Sequence, residues 1–378
     1  MPADTPQRVL IYRLGSLGDT VVALPALHLV RRAFPAARRI LLSNLPVHAK
    51  APPAAAILEG SGLVDGYIDY RVTTRSLGEL MRLRRQIRAF RPQLLVYLMA
   101  ARSELLLRRD ALFFRLCGIR RIVGLPRGGL ALPLFDPAAA VWEHEAARLL
   151  RCLRPLGAID LGDPSSWDMG LAPAEEQKGR ALLAHFASMH FIACGPGTKM
   201  QAKDWGPENW RTLLTALAAD IPGRGLVLVG SDQDAEVAAS VSRNWPQPVA
   251  NLCGRLSPRE TAAVLKDAEL FLGPDSGPMH LAAAYGVPCA IAYASRSRRG
   301  HWFPIGSGHQ VVYHTLQCSL CNLEVCIENQ KKCLTSISVE EMRSAAVRAW
   351  TYGQNRRNPD SPSSASRLAE QILLHGKQ

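Results

Sequence analysis

The sequence predicts an α/β protein of two doubly wound, parallel-sheet halves, and three observations carry the prediction. Strand-like and helix-like segments alternate from Arg8 to Leu156, stop, and then alternate again. Such alternation builds a parallel sheet with helices on both faces. The stop, Asp160–Pro173, reads DLGDPSSWDMGLAP and is rich in turn formers, as a linker is. Each half also places a glycine-containing turn directly after an apolar strand, where open α/β sheets bind ligands.

In the first half Arg8–Arg13 (RVLIYR) reads as a strand, Ala23–Ala33 as a helix and Arg39–Ser43 as a strand. Leu77–Ala89 is a strongly basic helix pattern with Leu80, Leu83 and Ile87 on one side. Leu94–Leu98 is a strand, Glu104–Leu116 a helix, Ile122–Gly124 a short strand and Glu143–Leu156 a helix. After the linker come a helix at Glu175–Ala187, a strand at His190–Cys194, a helix at Pro207–Asp220, a strand at Gly225–Gly230 and a helix at Ala235–Asn244. Ser257-Pro258 opens the helix to Asp267, an N-cap followed by proline at the first helical position. Leu270–Gly273, Pro278–Tyr285 and Cys289–Ala294 complete the alternation as strand, helix, strand. The resulting expectation is a first domain over 1–165, a second over 171–338, a helix over 339–352 and a mostly disordered tail over 353–378, with Arg367–Leu374 as a short terminal helix.

Composition narrows the function. With 378 residues, 48% hydrophobic and 20% charged, the chain is ordinary globular material. No apolar run is long enough to span a membrane, and MPADTPQR lacks the pattern of a signal peptide, so the expected compartment is the cytoplasm. The net charge of +13 is uneven: residues 1–170 hold 24 Lys/Arg against 14 Asp/Glu. The first half is therefore expected to attract anions such as phosphorylated substrates, nucleic acid or an acidic membrane surface, unless the arginines form only a solvated face. An aromatic share of 6%, without aromatic–basic interleaving, argues against nucleic acid.

Three segments carry chemistry. Arg13-Leu14-Gly15-Ser16-Leu17-Gly18-Asp19 puts a carboxylate at a strand's carboxyl end, although Asp19 also fits as a helix cap. Gly195–Trp205 (GPGTKMQAKDW) offers glycines, Thr198, Lys199 and Lys203 to a phosphate. It is not a Walker A loop, because Gly-Thr-Lys inverts the required order. Gly273–His280 (GPDSGPMH) starts a helix whose free N–H groups suit an anion. His280 alone would be read as an ordinary helix histidine. His144-Glu145 lacks the second histidine of a zinc-binding H-E-x-x-H.

Together these segments resemble the lipopolysaccharide heptosyltransferase family, glycosyltransferase family 9. The family's R-L-G-x-x-G-D…P-A-L segment matches Arg13–Asp19 and Pro25-Ala26-Leu27, and its K-x-W matches Lys203-Asp204-Trp205. Its long D-S-G-P-x-H-L-A-A-A-x-G-V-P motif is complete from Asp275 to Pro288, and Leu252–Ser257 resembles the segment before it. The resemblance implies a GT-B type fold, with two Rossmann-like domains facing across a cleft. It implies inverting, metal-independent transfer of heptose from an ADP-heptose donor to an anionic, lipid-linked lipopolysaccharide inner-core acceptor. It aligns Asp19 with the base and Lys203 and Thr198 with phosphate contacts.

Lys199, Asp275, Ser276, Gly277, Pro278, Met279 and His280 join the donor site, with Asp234 placed to bind ribose hydroxyls. Arg13, Ser16, Arg102 and His144 are the acceptor-binding candidates. The C-terminal helix is expected to cross back onto the first domain, and peripheral contact with the inner membrane surface is expected. The stretch Ala294–Gly300 (ASRSRRG) departs from the family's Gly-Pro-Thr loop. Alternatives are a protein O-heptosyltransferase, another ADP-sugar transferase or a sugar-nucleotide epimerase of the same fold, and, from a different class, a non-enzymatic anion- or nucleic-acid-binding module.

Four of the nine cysteines, Cys318, Cys321, Cys326 and Cys333, fall within sixteen residues as C-x2-C-x4-C-x6-C. In a cytosolic chain this spacing suggests a structural zinc or iron site rather than disulfides. Unligated thiols packing a loop, or one disulfide, are the alternatives.

Overall fold

The computed structural model describes residues 5–44, 52–71, 76–126, 131–186 and 188–357. The first half comprises β1 (Arg8–Tyr12), α1 (Leu17–Val22), α2 (Leu24–Ala33), β2 (Arg38–Asn44), α3 (Ala55–Leu58), β3 (Gly66–Tyr70), α4 (Leu77–Phe90), β4 (Leu94–Tyr97), α5 (Glu104–Leu116) and β5 (Arg121–Val123). A small hairpin, β6 (Phe135–Asp136) and β7 (Val141–Trp142), precedes α6 (Glu145–Cys152). The five strands form a parallel sheet in the order β3-β2-β1-β4-β5.

Successive residues of β1 serve opposite faces. Val9 and Ile11 pack under α2 and α6, whereas Leu10 and Tyr12 pack under α4 and α5 with Leu83, Ile87, Leu107 and Phe114. Burial on both faces is why these strands are almost continuously apolar. The sequence reading missed β3 and the hairpin, which are short or broken by polar residues (GYIDY).

The segment expected as a linker is folded down: it makes a 3-10 turn at Pro164–Trp167, and Trp167 and Met169 are buried in the core. The second half then runs α7 (Pro173–Leu182), β8 (Phe191–Cys194), α8 (Pro207–Asp220), β9 (Gly225–Leu228), α9 (Ala235–Val241), β10 (Val249–Asn251), α10 (Pro258–Leu265), β11 (Phe271–Pro274), α11 (Gly277–Ala284), β12 (Cys289–Tyr293), β13 (Gln310–Tyr313), α12 (Lys332–Thr335) and α13 (Val339–Arg357). Its six strands are parallel in the order β10-β9-β8-β11-β12-β13. Two parallel sheets flanked by helices give the expected pair of Rossmann-like domains, with a cleft between them.

Among the described residues the C-terminal helix packs chiefly on its own half. In α13, Met342, Ala345, Ala346, Ala349 and Gly353 form one buried stripe at helical spacing. That stripe lies on α8, β12 and β13 of its own half. Arg343 reaches Asp220 at 2.6 Å, and Trp350 Nε1 donates to Glu269 at 3.2 Å. A stripe of small residues lets the helix lie close on its own sheet. The helix runs to Arg357, beyond the expected end, and the proposed terminal helix lies outside the described residues.

Two polar tethers join the halves. Arg259 of α10, 6% exposed, donates to Ile57 O of the first half (2.9 Å), to Met169 O and Gly170 O (2.7 Å each) and to the Glu175 carboxylate (2.6 and 2.9 Å). Elsewhere Trp142 N–H donates to Arg299 O (2.8 Å), and Glu145 N–H donates to His301 O (2.9 Å).

Candidate active site

The carboxyl ends of β1 and of β8, β9 and β11 face one another across a cavity of about 620 Å3. Its lining includes Ser16 and Asp19 from the first half and Thr198, Lys199, Lys203, Asp234, Asp275, Ser276, Gly277, Pro278 and His280 from the second. The three sequence segments thus meet in one place. Their approach requires glycine at two contacts. A Cβ on Gly18 would sit 2.7 Å from the His280 ring, and one on Gly277 would sit 2.4 Å from Leu17. Both distances are below any real Cβ contact, so α1 and α11 abut only because these residues lack side chains.

Asp19 both caps α1 and lines the cavity. It is the third residue of α1, and its Oδ2 accepts from Ser16 N–H (2.7 Å) and Ser16 Oγ (3.0 Å), completing a capping box. Its side chain remains 26% exposed to the cavity, with Oδ1 3.5 Å from Arg13. Arg13 lies behind it. The guanidinium donates to the Asp19 carbonyl (2.9 and 3.2 Å) and to Leu98 O (2.7 Å), and it pairs with Glu145 at 3.3 Å. Only 3% exposed, Arg13 holds the Asp19 backbone from behind and, against its expected place among the acceptor contacts, does not line the cavity.

On the opposite wall Lys203 Nζ lies 2.6 Å from Asp275 Oδ2. Burial pushes the Asp275 carboxyl up, but the Lys203 ammonium outweighs it and holds it below the usual carboxylate range. Lys199 stands exposed at the cavity's edge. Thr198 Oγ1 accepts from Met200 N–H at 3.3 Å. The buried Ser276 Oγ, at the start of α11, has no hydrogen-bond partner. Asp234 caps its own helix through Ser231, with N–H and Oγ at 2.8 and 2.7 Å from Oδ2, and lines the cavity beside Gly197.

Several candidates lie elsewhere. The side chain of Met279, the third residue of α11, is fully buried in the apolar core. Arg102 is drawn to the buried Asp110 at 3.0 Å and does not line the cavity. His144 caps α6, accepting from Ala146 N–H at 3.2 Å, while its Nε2 meets Phe303 O at 3.0 Å; it joins the two halves and does not line the cavity. Arg296, Ser297 and Trp302, from and beyond the ASRSRRG stretch, line the cavity and were missed as individual sites. The basic run after the last apolar strand was their only signal.

The cysteine cluster is also corrected. All four thiols are free, and among the described residues no group of three or more His, Cys, Asp or Glu is placed to hold a metal ion. Cys321 is exposed. Cys326 is buried and its Sγ accepts from Lys331 N–H at 3.4 Å, and Cys333 packs on the apolar core. The loop instead braces the Lys203 turn. Ala202 N–H donates to Glu324 O (3.0 Å), Cys326 N–H donates to Gln201 Oε1 (2.8 Å), and Lys331 Nζ donates to Asp204 O (2.9 Å).

Burial keeps three histidines neutral: it lowers His144 to about 3, and His280 and His309 to about 4. Their unfolded counterparts take up protons near pH 6.5, so the unfolded state binds more protons below that value. Each therefore removes up to about 1.4 kcal/mol of stability per pH unit as pH falls from about 6.5 towards 4. Urea midpoints are expected to drop steeply over that interval and to be flat above it. An unchanged midpoint down to about pH 5 would contradict the buried neutral state.

The chain was compared with known proteins. The family model described as glycosyltransferase family 9 (heptosyltransferase) matches residues 111–332. A lipopolysaccharide heptosyltransferase 3 from Escherichia coli is 30% identical over 143 residues, 37% of this chain and 41% of that protein. A protein of the same description from Escherichia coli strain K12 is 25% identical over 281 residues, 72% of this chain and 78% of that one. The structure of the E. coli ADP-heptose LPS heptosyltransferase II superposes with a TM-score of 0.65 at 16% identity, covering 92% of this chain and 99% of that chain.

Proposed function

This chain belongs to glycosyltransferase family 9 (heptosyltransferase) and is a glycosyltransferase, and from that premise we propose that it transfers heptose from ADP-heptose to an anionic, lipid-linked inner-core oligosaccharide of lipopolysaccharide, with inversion and without a metal. The observation that carries the reading is the opposition, across one cavity, of a carboxylate (Asp19) and an anion-binding wall made by Lys203, Lys199 and the start of α11. Two relatives described as lipopolysaccharide heptosyltransferases support the sugar and acceptor class. The arginine surplus of the first half complements an acceptor bearing carboxylate and phosphate.

Inversion takes one displacement. The acceptor hydroxyl oxygen bonds to the anomeric carbon as the bond from that carbon to the β-phosphate oxygen breaks. The hydroxyl proton passes to Asp19, and ADP leaves. Charge grows on the departing phosphate, where Lys203, the N–H groups at the start of α11 and the unpartnered Ser276 hydroxyl stabilise it. The test is a donor screen with ADP-heptose, ADP-glucose, UDP-sugars and GDP-sugars against a purified inner-core acceptor. Product with ADP-heptose alone, of inverted anomeric configuration and unaffected by chelator, is the expected outcome. Turnover with another donor only, or retention of configuration, would overturn the reading.

Lys203→Ala is expected to slow turnover by about 100-fold to 1,000-fold, roughly 2.7–4 kcal/mol, with weaker ADP binding. Because the substitution also strands the Asp275 carboxylate, the double variant Lys203→Ala/Asp275→Asn isolates the loss of the cation. Unchanged kinetics in both would show that the lysine serves only the ion pair.

A further inference from the structure

The basic stretch after β12 gives its three arginines different surroundings. Arg298 lies over the Trp142 ring, 4.9 Å from its centroid, and Arg299 over the Tyr313 ring at 5.9 Å. Both are spent on aromatic faces. Arg296 lines the cavity instead. Its Nε donates to Leu323 O (2.7 Å) and its Nη2 to Asn322 O (2.6 Å). Among the described residues nothing accepts from Nη1, and no carboxylate pairs with the guanidinium. A half-buried cation held in one orientation, with one nitrogen of its fork unspent, is prepared for an anionic oxygen.

The loop that fixes Arg296 also fixes Lys203. Leu320 N–H donates to Ser295 O (2.8 Å) and Asn322 N–H to Arg296 O (3.0 Å), which fastens the loop to the basic stretch. Glu324 O accepts from Ala202 N–H, and Cys326 N–H donates to Gln201, which fastens the same loop to the Lys203 turn. Leu320 and Asn322 adopt left-handed backbone, with φ of 68° and 54°. A residue other than glycine keeps that conformation where its surroundings enforce it. One clip thus sets the spacing between two cations. Burial raises the Asp275 carboxyl, and Lys203 lowers it with Arg296 adding to the effect, so both cations act on the same part of the cavity.

We propose that Arg296 is a second cation for the leaving group and binds the β-phosphate of the ADP-sugar together with Lys203. The inference rests on the donor reading given above. Sheet order gives the direction. Asp234, Lys203, Asp275 and Arg296 lie in the segments that follow β9, β8, β11 and β12, and these strands are neighbours in that order. A nucleotide with its ribose at Asp234 therefore runs its pyrophosphate towards Arg296. The phosphate that reaches Arg296 is the one bonded to the sugar. Charge grows there as the bond to the anomeric carbon breaks, so an unpaired guanidinium gains more in the transition state than in the ground state.

AMP carries no β-phosphate, so ADP and AMP, each titrated by calorimetry into the full chain, isolate the contact. Wild type is expected to bind ADP more tightly than AMP. Arg296→Gln is expected to weaken ADP by about tenfold and to leave AMP within about twofold, which also reports an intact site. Turnover at saturating donor is expected to fall by about 100-fold. Arg296→Lys keeps a charge and is expected to recover part of the ADP preference. Equal weakening of ADP and AMP would overturn the proposal and leave Arg296 as a brace of the loop. An ADP preference that survives Arg296→Gln, with a raised acceptor KM, would overturn it as well and assign the guanidinium to the acceptor. A wild type that does not prefer ADP to AMP would overturn the donor reading itself, and this inference with it.

Discussion

Asp19→Asn is expected to lower turnover by at least about 100-fold, and up to 10,000-fold, the range a positioned general base supplies. The substitution isolates the proton step. An asparagine oxygen still accepts from Ser16 N–H, so the start of α1 and its contact with α11 are retained. ADP affinity is expected to stay within about twofold, because the nucleotide wall belongs to the other half. Initial rates at saturating donor, with ADP titration calorimetry beside them, make the comparison. Turnover above a few per cent of wild type would remove Asp19 as the base and leave it only its helix cap.

Glu145→Gln is expected to lower the unfolding free energy by about 3–5 kcal/mol, the cost of breaking a buried ion pair by removing one partner. Glu145 is fully buried, with Arg148 Nε at 2.6 Å from Oε2, Arg148 Nη2 at 2.9 Å from Oε1, Arg13 at 3.3 Å and His301 at 3.4 Å. Burial pushes its carboxyl up, and Arg148 and Arg13 more than reverse that. A folded-state value below the unfolded one means that the contribution is present above about pH 4.5 and is lost as pH falls below it. An uncharged amide leaves two buried guanidiniums facing one another. Urea unfolding with an unchanged m-value gives the measurement. A shift below about 1 kcal/mol would mean that the guanidiniums find water or another partner. Arg13 also holds the Asp19 carbonyl, so the variant's pH–rate profile is expected to move as well as its stability.

The site segments were legible because each is local: a strand, a glycine turn and a helix start fall within a dozen residues, and sheet topology gathers such turns at one edge. The Arg13–Glu145–Arg148 cluster was not. Its members come from β1's end and from α6, 132 positions apart, and a glutamate at a helix start is ordinary on the surface. The side chains of Arg102 and Met279 lie away from the cavity for a related reason. Motif spacing gives proximity along the chain but not the side to which a side chain points, and Asp110 and the apolar core decided those two. The cysteine spacing misled likewise: among the described residues the four thiols do not come together as a metal-binding group. For α13 the stripe of alanines was readable, but not which sheet would receive it.

The Arg259 knot and the strand-like contact of Trp142 and Glu145 with Arg299 and His301 have a mechanical consequence. Together with the α1–α11 contact, where Gly18 abuts the His280 ring, they fix the distance between the two walls of the substrate gap. Arg259→Ala is expected to loosen that spacing. Distance distributions between spin labels on the two halves would broaden without shifting their shortest value.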